Sequence, residues 1–291
     1  MFKVWFQTTR PQSWIASIAP VFLASFFAAD LELFSFLPAF FCLAFALLMQ
    51  IATDLANDYY DFQRGTDGPD RVGPMRGLAS GLIPIESMRM AIVILYMIAL
   101  GFGLLLYSYV GPGVFLVMTA CLIGGLLYTA GPFAFAYCGF SDIVTILFYG
   151  FIATVGTFYV QAGKFTPEVF LLGLALGLLT NNICLINHIR DAKTDAAVNK
   201  NTLIVRFGKA FGCKLFKFET TVALIIPAVL ATLSGNYFLL LPLTLAPWGL
   251  ILYRKLRYYT NTGPSYTYLQ ARACVLLFVY SLLLATGIAL G

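Results

Sequence analysis

Met90–Ser141 reads MAIVILYMIALGFGLLLYSYVGPGVFLVMTACLIGGLLYTAGPFAFAYCGFS and holds no charged side chain. One helical bilayer span takes about 20 apolar residues, with a range of about 17–25. A run of this length therefore holds two spans, and Gly111-Pro112-Gly113 marks the break between them. Similar charge-free runs flank it: Pro11–Ala29, Leu33–Thr53, Ile143–Gly163, Val169–Ile189, Thr220–Tyr253 and Ala273–Gly291. Thr220–Tyr253 breaks at Ser234-Gly235-Asn236 and reads as two short spans. The expectation is an all-α polytopic membrane protein with nine transmembrane helices, residues 1–291 forming one membrane domain. Composition agrees, with 60% apolar and 11% charged residues, against roughly half and a quarter in a soluble domain. Mean hydropathy is +0.86.

Charge supports the count independently. Nine spans place alternate loops on opposite faces. Of the 18 Lys and Arg residues, all but Lys164 then fall on one face. Positive loops mark the cytoplasm, so the expectation is a cytoplasmic N-terminus, an external C-terminus and a protein integral to the cell (inner) membrane. The net charge of +5 reflects this orientation and gives no sign of nucleic acid binding. The first span is long and its flanks do not suggest a cleaved leader. The cysteines at 42, 121, 138, 184, 213 and 274 show no CxxC pairing and read as small core residues.

Polarity concentrates in two stretches, read as long cytoplasmic loops at about Asp54–Arg89 and His188–Glu219. The first includes Asp54, Asn57, Asp58, Asp61, Arg64, Gly65 and Asp67. If the second span continues into it, Asp54, Asp58 and Asp61 share one helical face, and Gly65 offers a stop. The second includes Asn187, His188, Arg190, Asp191, Lys193 and Asp195, with Asp191 and Asp195 again one turn apart. Carboxylates this close repel unless a cation intervenes. Paired carboxylates at a membrane helix end suit magnesium, which keeps several waters and is typically held by one or two carboxylates plus substrate phosphates. The plain alternative is a solvated helix face neutralised by Arg64, Arg71, Arg190 and Lys193. Acids near a bilayer are costly and usually functional. The candidate phosphate contacts are Arg64, Arg71, Arg76, Arg190, Lys193 and Lys200.

These stretches resemble the UbiA superfamily of membrane prenyltransferases, and within it the 1,4-dihydroxy-2-naphthoate polyprenyltransferase branch. The similar segments run along most of the chain. They are Thr9-Arg10-Pro11, Asn57 to Asp67, Asp70 to Gly77 with Ser80-Gly81, Tyr128 to Pro132, Gly156 to Gln161, Asn187 to Asp195, and Lys200 to Leu203 with Arg206-Phe207-Gly208. The wider superfamily has an aspartate where this chain has Gly65; here the acid appears at Asp67, as in the naphthoate branch. Tyr128–Tyr137 lacks the Lys and Arg of the benzoate branch.

The resemblance implies two magnesium ions bridging a polyprenyl diphosphate to Asp58, Asp61 and Asp67 on one side and to Asp191 and Asp195 on the other. Asn57, Asn187 and the basic residues complete the shell. Tyr128 and Tyr60 then face the developing carbocation, and the naphthoate ring attacks with loss of its carboxyl group, giving demethylmenaquinone for menaquinone biosynthesis. Asp54 is either a fourth acid of the site or a helix-end polar residue. His188 is either an orienting residue or a general base. A phytyl-, chlorophyll- or benzoate-type acceptor is the nearest alternative. A cation-coupled transporter would carry its acids near mid-span, whereas those here gather at cytoplasmic helix ends, with Asp142 the nearest exception.

Overall fold

The computed structural model describes residues 1–67, 73, 74, 76–131, 133–259 and 263–291. Among these every regular element is helical. Seven helices are long and apolar enough to cross a membrane. They are α3 (Phe36–Gln63), α4 (Ile85–Val110), α6 (Ser141–Ala162), α7 (Pro167–Ala197), α8 (Leu203–Ser234), α9 (Tyr237–Tyr258) and α10 (Pro264–Ala289). Ahead of them, α1 (Phe2–Thr8) and α2 (Ile15–Asp30) meet at a 50° bend. α5 (Gly113–Thr129) is shorter and equally apolar.

The breaks fall where the sequence puts glycine. Gly65, Gly111 and Gly235 all take positive φ, a conformation that costs glycine little. Gly235 caps α8 as a left-handed residue. The stretch read as a loop at His188–Glu219 is largely helical, and the one at Asp54–Arg89 is helical at both ends. α3 runs on through Asp54, Asp58 and Asp61, and α7 through Asp191 and Asp195, so 198–202 alone connect α7 to α8. Asp, Arg and Lys are tolerated in a helix that leaves the apolar layer; loss of hydropathy there marks the membrane boundary, and the helix continues past it. Thr166 and Thr202 cap α7 and α8 by accepting from the amides of Val169 and Val205.

α7 is the central helix and packs against α2, α6, α8 and α10. It crosses α6 at small residues. A Cβ on Gly150 would lie 2.6 Å from the Gly173 carbonyl oxygen, and one on Gly173 would lie 2.6 Å from that of Gly150. Only glycine permits such backbone contact, the usual device of membrane helix crossings. At the crossing α6 widens into a π-helical stretch, Ile146–Val155, a distortion frequent at functional sites.

One polar brace lies inside the bundle. The Asn181 amide on α7 donates to Glu219 of α8 at 2.8 Å and to Asp142 of α6 at 3.3 Å. All three residues are buried. The expectation that acids gather at helix ends therefore fails at Glu219, whereas Asp142, the exception named above, lies in the first turn of α6. A shared amide donor offsets part of the cost of burying these groups.

Candidate active site

The C-terminal ends of α3 and α7 face a common cavity of about 690 Å³. Asp54, Asn57 and Asp58 of α3 line it together with Asn187, His188, Arg190, Asp191 and Asp195 of α7. Arg10, Arg76, Tyr128 and Lys200 complete the charged end. The cavity then runs along the bundle between α5, α6 and α7, past Val114, Val117, Phe148 and Tyr149 to Phe165 and Phe170. Phe170 and Asp191 lie on the same helix, so at 1.5 Å per residue the cavity is about 30 Å long. It joins a highly charged end to an apolar tunnel.

The acids of α3 are held by guanidinium groups from two flanking segments. Arg10, just before α2, donates to Asp54 at 2.8 Å, to Asn57 at 3.2 Å and also to Asp58. Arg76, just before α4, pairs with the same Asp58 oxygen and reaches Asp67 at 3.8 Å. Arg10 itself sits at φ 51°. Such left-handed backbone in a residue other than glycine tends to mark functional positions. Asp61 points elsewhere. It accepts from the Tyr137 hydroxyl at 2.7 Å and lies 3.9 Å from the Lys200 ammonium. Thr66 hydrogen-bonds the Tyr137 hydroxyl at 2.8 Å, and the Arg64 guanidinium stacks 4.0 Å over the ring. Burial and the nearby Asp61 carboxylate hold the Tyr137 phenol above its ordinary pKa, so Tyr137 stays a donor.

The acids of α7 have different partners. Arg190 makes a two-pronged contact with its neighbour Asp191 at 2.6 and 2.7 Å. Asp195 faces Lys200 at 3.5 Å. Burial alone would lower the pKa of Lys200. The carboxylates of Asp61, Asp195 and Asp191 outweigh that and hold it above its ordinary value, so Lys200 remains a cation.

The structure brings the two motifs together and sorts the expected residues. Asn57, Asp58, Arg76, Tyr128, Asn187, Arg190, Asp191, Asp195 and Lys200 line the cavity. Asp61 and Asp67 stand behind that wall, covered by Tyr137 with Lys200 and by Arg76 respectively. Arg64 is spent on Tyr137 and on the Gly131 carbonyl. Lys193 lies on the exposed face of α7, away from the cavity. Its place in the helix explains this, since it cannot share a face with both Asp191 and Asp195. Tyr60 packs with its neighbour Tyr59 and is not part of the cavity wall. Arg71, with Asp70, lies outside the described residues. Asp54 belongs to the site through Arg10, and His188 is buried at its edge. Two residues of the site were not foreseen. Arg10 had a signal, since it precedes Pro11 at the mouth of the first span. Tyr137 had none beyond the aromatic richness of its loop.

Buried oxygens of Asp58, Asp195 and Asn187 accept no hydrogen bond among the described residues. Hard oxygens in that condition suit a hard divalent cation. No three acidic, His or Cys side chains converge on one point among the described residues. Each ion would therefore take one or two protein oxygens and draw the rest of its shell from water and phosphate.

Residues 17–282 match the model of the UbiA prenyltransferase family. The chain belongs to that family. It is a membrane-embedded prenyltransferase. The 1,4-dihydroxy-2-naphthoate octaprenyltransferase of Escherichia coli is 34% identical, over 80% of this chain and 82% of its own length. The enzyme of the same description from Mycobacterium tuberculosis is also 34% identical, over 79% of this chain and 78% of its own. In fold, the chain is similar to a UbiA homolog from Archaeoglobus fulgidus bound to DMAPP and Mg2+. The TM-score is 0.66 at 18% identity, covering 95% of this chain and 98% of that one.

Proposed function

We propose that this prenyltransferase moves a polyprenyl chain from its diphosphate to 1,4-dihydroxy-2-naphthoate, with loss of the carboxyl group, giving demethylmenaquinone. The observation that carries the reading is the cavity itself, with facing acid motifs at one end and an apolar tunnel about 30 Å long at the other. That shape fits an amphiphile with a diphosphate head and a long hydrocarbon tail. The named relatives of the naphthoate class support the choice of acceptor. The proposed topology is nine spans, counting α2 and α5, in the inner membrane, with the N-terminus and the site facing the cytoplasm.

Mg2+ is the proposed cofactor, and each ion would take one or two oxygens, from Asp58 backed by Asp61 and Asp67 on one side and from Asp191, Asp195 and Asn187 on the other. When bound, it neutralises charge building on the departing diphosphate. Arg10 and Arg76 present fixed forks to phosphate oxygens, together with Arg190 and Lys200. These preorganised charges lower the cost of breaking the allylic C–O bond. Val114, Val117, Phe165 and Phe170 take the tail, whose burial is worth about 0.8 kcal/mol per CH₂. Tyr128 and Tyr149 lie between head and tail, where ring faces attract an allylic cation. The apolar side chains lining the tunnel beside them limit the water that could capture that cation before the electron-rich acceptor does.

Mass spectrometry of the products tests this directly. Purified protein would be offered one polyprenyl diphosphate and equal amounts of 1,4-dihydroxy-2-naphthoate and 4-hydroxybenzoate, with Mg2+ or with excess EDTA. The prenylated, decarboxylated naphthoate should dominate, and EDTA should remove all product. Predominant benzoate product would overturn the acceptor, and full turnover in EDTA would overturn the metal.

A further inference from the structure

The ammonium of Lys200 stands between the two acid motifs. It is 3.9 Å from Asp61 of α3 and 3.5 Å from Asp195 of α7. The Tyr137 ring lies 5.3 Å from it, and its side chain is only 12% exposed. The backbone around it is fixed. The Lys200 amide donates to the Asp195 carbonyl at 2.9 Å, and the next amide, of Asn201, donates to the Tyr137 carbonyl at 3.0 Å. Asn199 adopts φ 57° to make this turn. A lysine on a fixed backbone still moves its charge by several ångströms, because its stem is flexible and its ammonium has no preferred fork. The same side chain lines the cavity in which a diphosphate would lie.

We propose that Lys200 is a resident counter-ion, which ties the two acid motifs together before the donor arrives and then passes from the carboxylates to the diphosphate. This rests on the diphosphate chemistry proposed above. It goes further than making Lys200 a phosphate contact, because it fixes where the charge is in the empty protein. Asp61 and Asp195 come from different helices and would repel one another; the ammonium between them cancels that repulsion. A divalent cation entering without diphosphate must compete with the Lys200 charge for the same carboxylates. A divalent cation entering with diphosphate gives Lys200 a new anionic partner. The lysine therefore opposes the metal alone and favours the metal with diphosphate.

That reversal of sign is the test. Mn2+ binding to the detergent-purified full chain would be followed by electron paramagnetic resonance, with and without inorganic pyrophosphate. Lys200→Met should bind Mn2+ alone on the order of tenfold more tightly than the natural chain, since one nearby positive charge is gone. With pyrophosphate present it should bind Mn2+ more weakly than the natural chain. Lys200→Arg keeps the charge and should follow the natural chain in both conditions. Thermal unfolding of each variant shows that the fold is retained. A purely structural lysine would weaken both titrations together, and a simple phosphate ligand would leave Mn2+ alone unchanged; either result overturns the proposal. The titrations contain neither prenyl donor nor aromatic acceptor, so the inversion supports the counter-ion whichever acceptor the product analysis identifies.

Discussion

Asp54 and Asp58 of α3 and the acids of α7 sit in similar short motifs and reach the same cavity, yet they meet different cations. Asp54 and Asp58 are gripped by Arg10 and Arg76, which come from separate segments. Asp195 meets the ammonium of Lys200, and Asp191 is paired with the residue before it. A guanidinium is a rigid planar fork, whereas an ammonium is a point charge on a flexible stem. The α3 side is thus built in advance, and its arginines also fasten the start of α2 and the approach to α4 onto α3. The α7 side is adjustable at Asp195. One half of the site holds a fixed geometry while the other rearranges around whatever enters.

The largest effect should come from the acids themselves. Asp58→Asn and Asp191→Asn should each lower turnover by about 10³-fold, the cost of losing a main electrostatic contributor. The contrast lies in stability. Asp58 is buried with two guanidinium groups, so Asp58→Asn should also destabilise the protein by about 3 kcal/mol. Asp191 is half-buried and meets one guanidinium rather than two, so Asp191→Asn should destabilise the protein by less. Turnover and thermal unfolding measured side by side check both, and equal stability losses would break the comparison. Arg10→Lys comes next. Lysine cannot reproduce a fork shared among Asp54, Asn57 and Asp58, so kcat/KM for the prenyl donor should fall about tenfold. Unchanged kinetics would mean that the α3 side is as forgiving as the α7 side. Lys193→Ala should do least, with kcat and KM within about twofold, as expected of an exposed surface change. A larger loss would place Lys193 in the site and remove the asymmetry within α7.

Much of this was legible from sequence, for identifiable reasons. Helical spacing would join Asp54, Asp58 and Asp61 if the second span ran on into the stretch read as a loop, and α3 does run on and carries them. Glycine punctuation located the breaks at Gly65, Gly111 and Gly235. What stayed hidden depends on contacts between residues distant in sequence. Arg10 meets Asp54 across 44 positions, and Tyr137 meets Asp61 across 76. Nothing local to either residue announces its partner. Periodicity placed Asp58 and Asp61 near one another, but only the packed structure shows them turned to different cations. Glu219 was missed for a related reason: its charge suggested a helix end, and the amide that lets it sit inside the bundle belongs to α7.

The shortness of α5 bears on the membrane around it. Its 17 residues span about 25 Å at 1.5 Å per residue, against a hydrocarbon core of about 30 Å. Val114, Val117, Met118 and Cys121 line the tunnel, while Leu116 and Ile123 are exposed on the outside. In the proposed nine-span topology this single short helix is the partition between the tunnel and lipid along this side. Mismatch of this kind thins the adjoining bilayer, at a fraction of a kcal/mol per ångström. In that topology the lipid beside the tunnel would be thinned, and acyl chain length becomes a variable that acts on this wall.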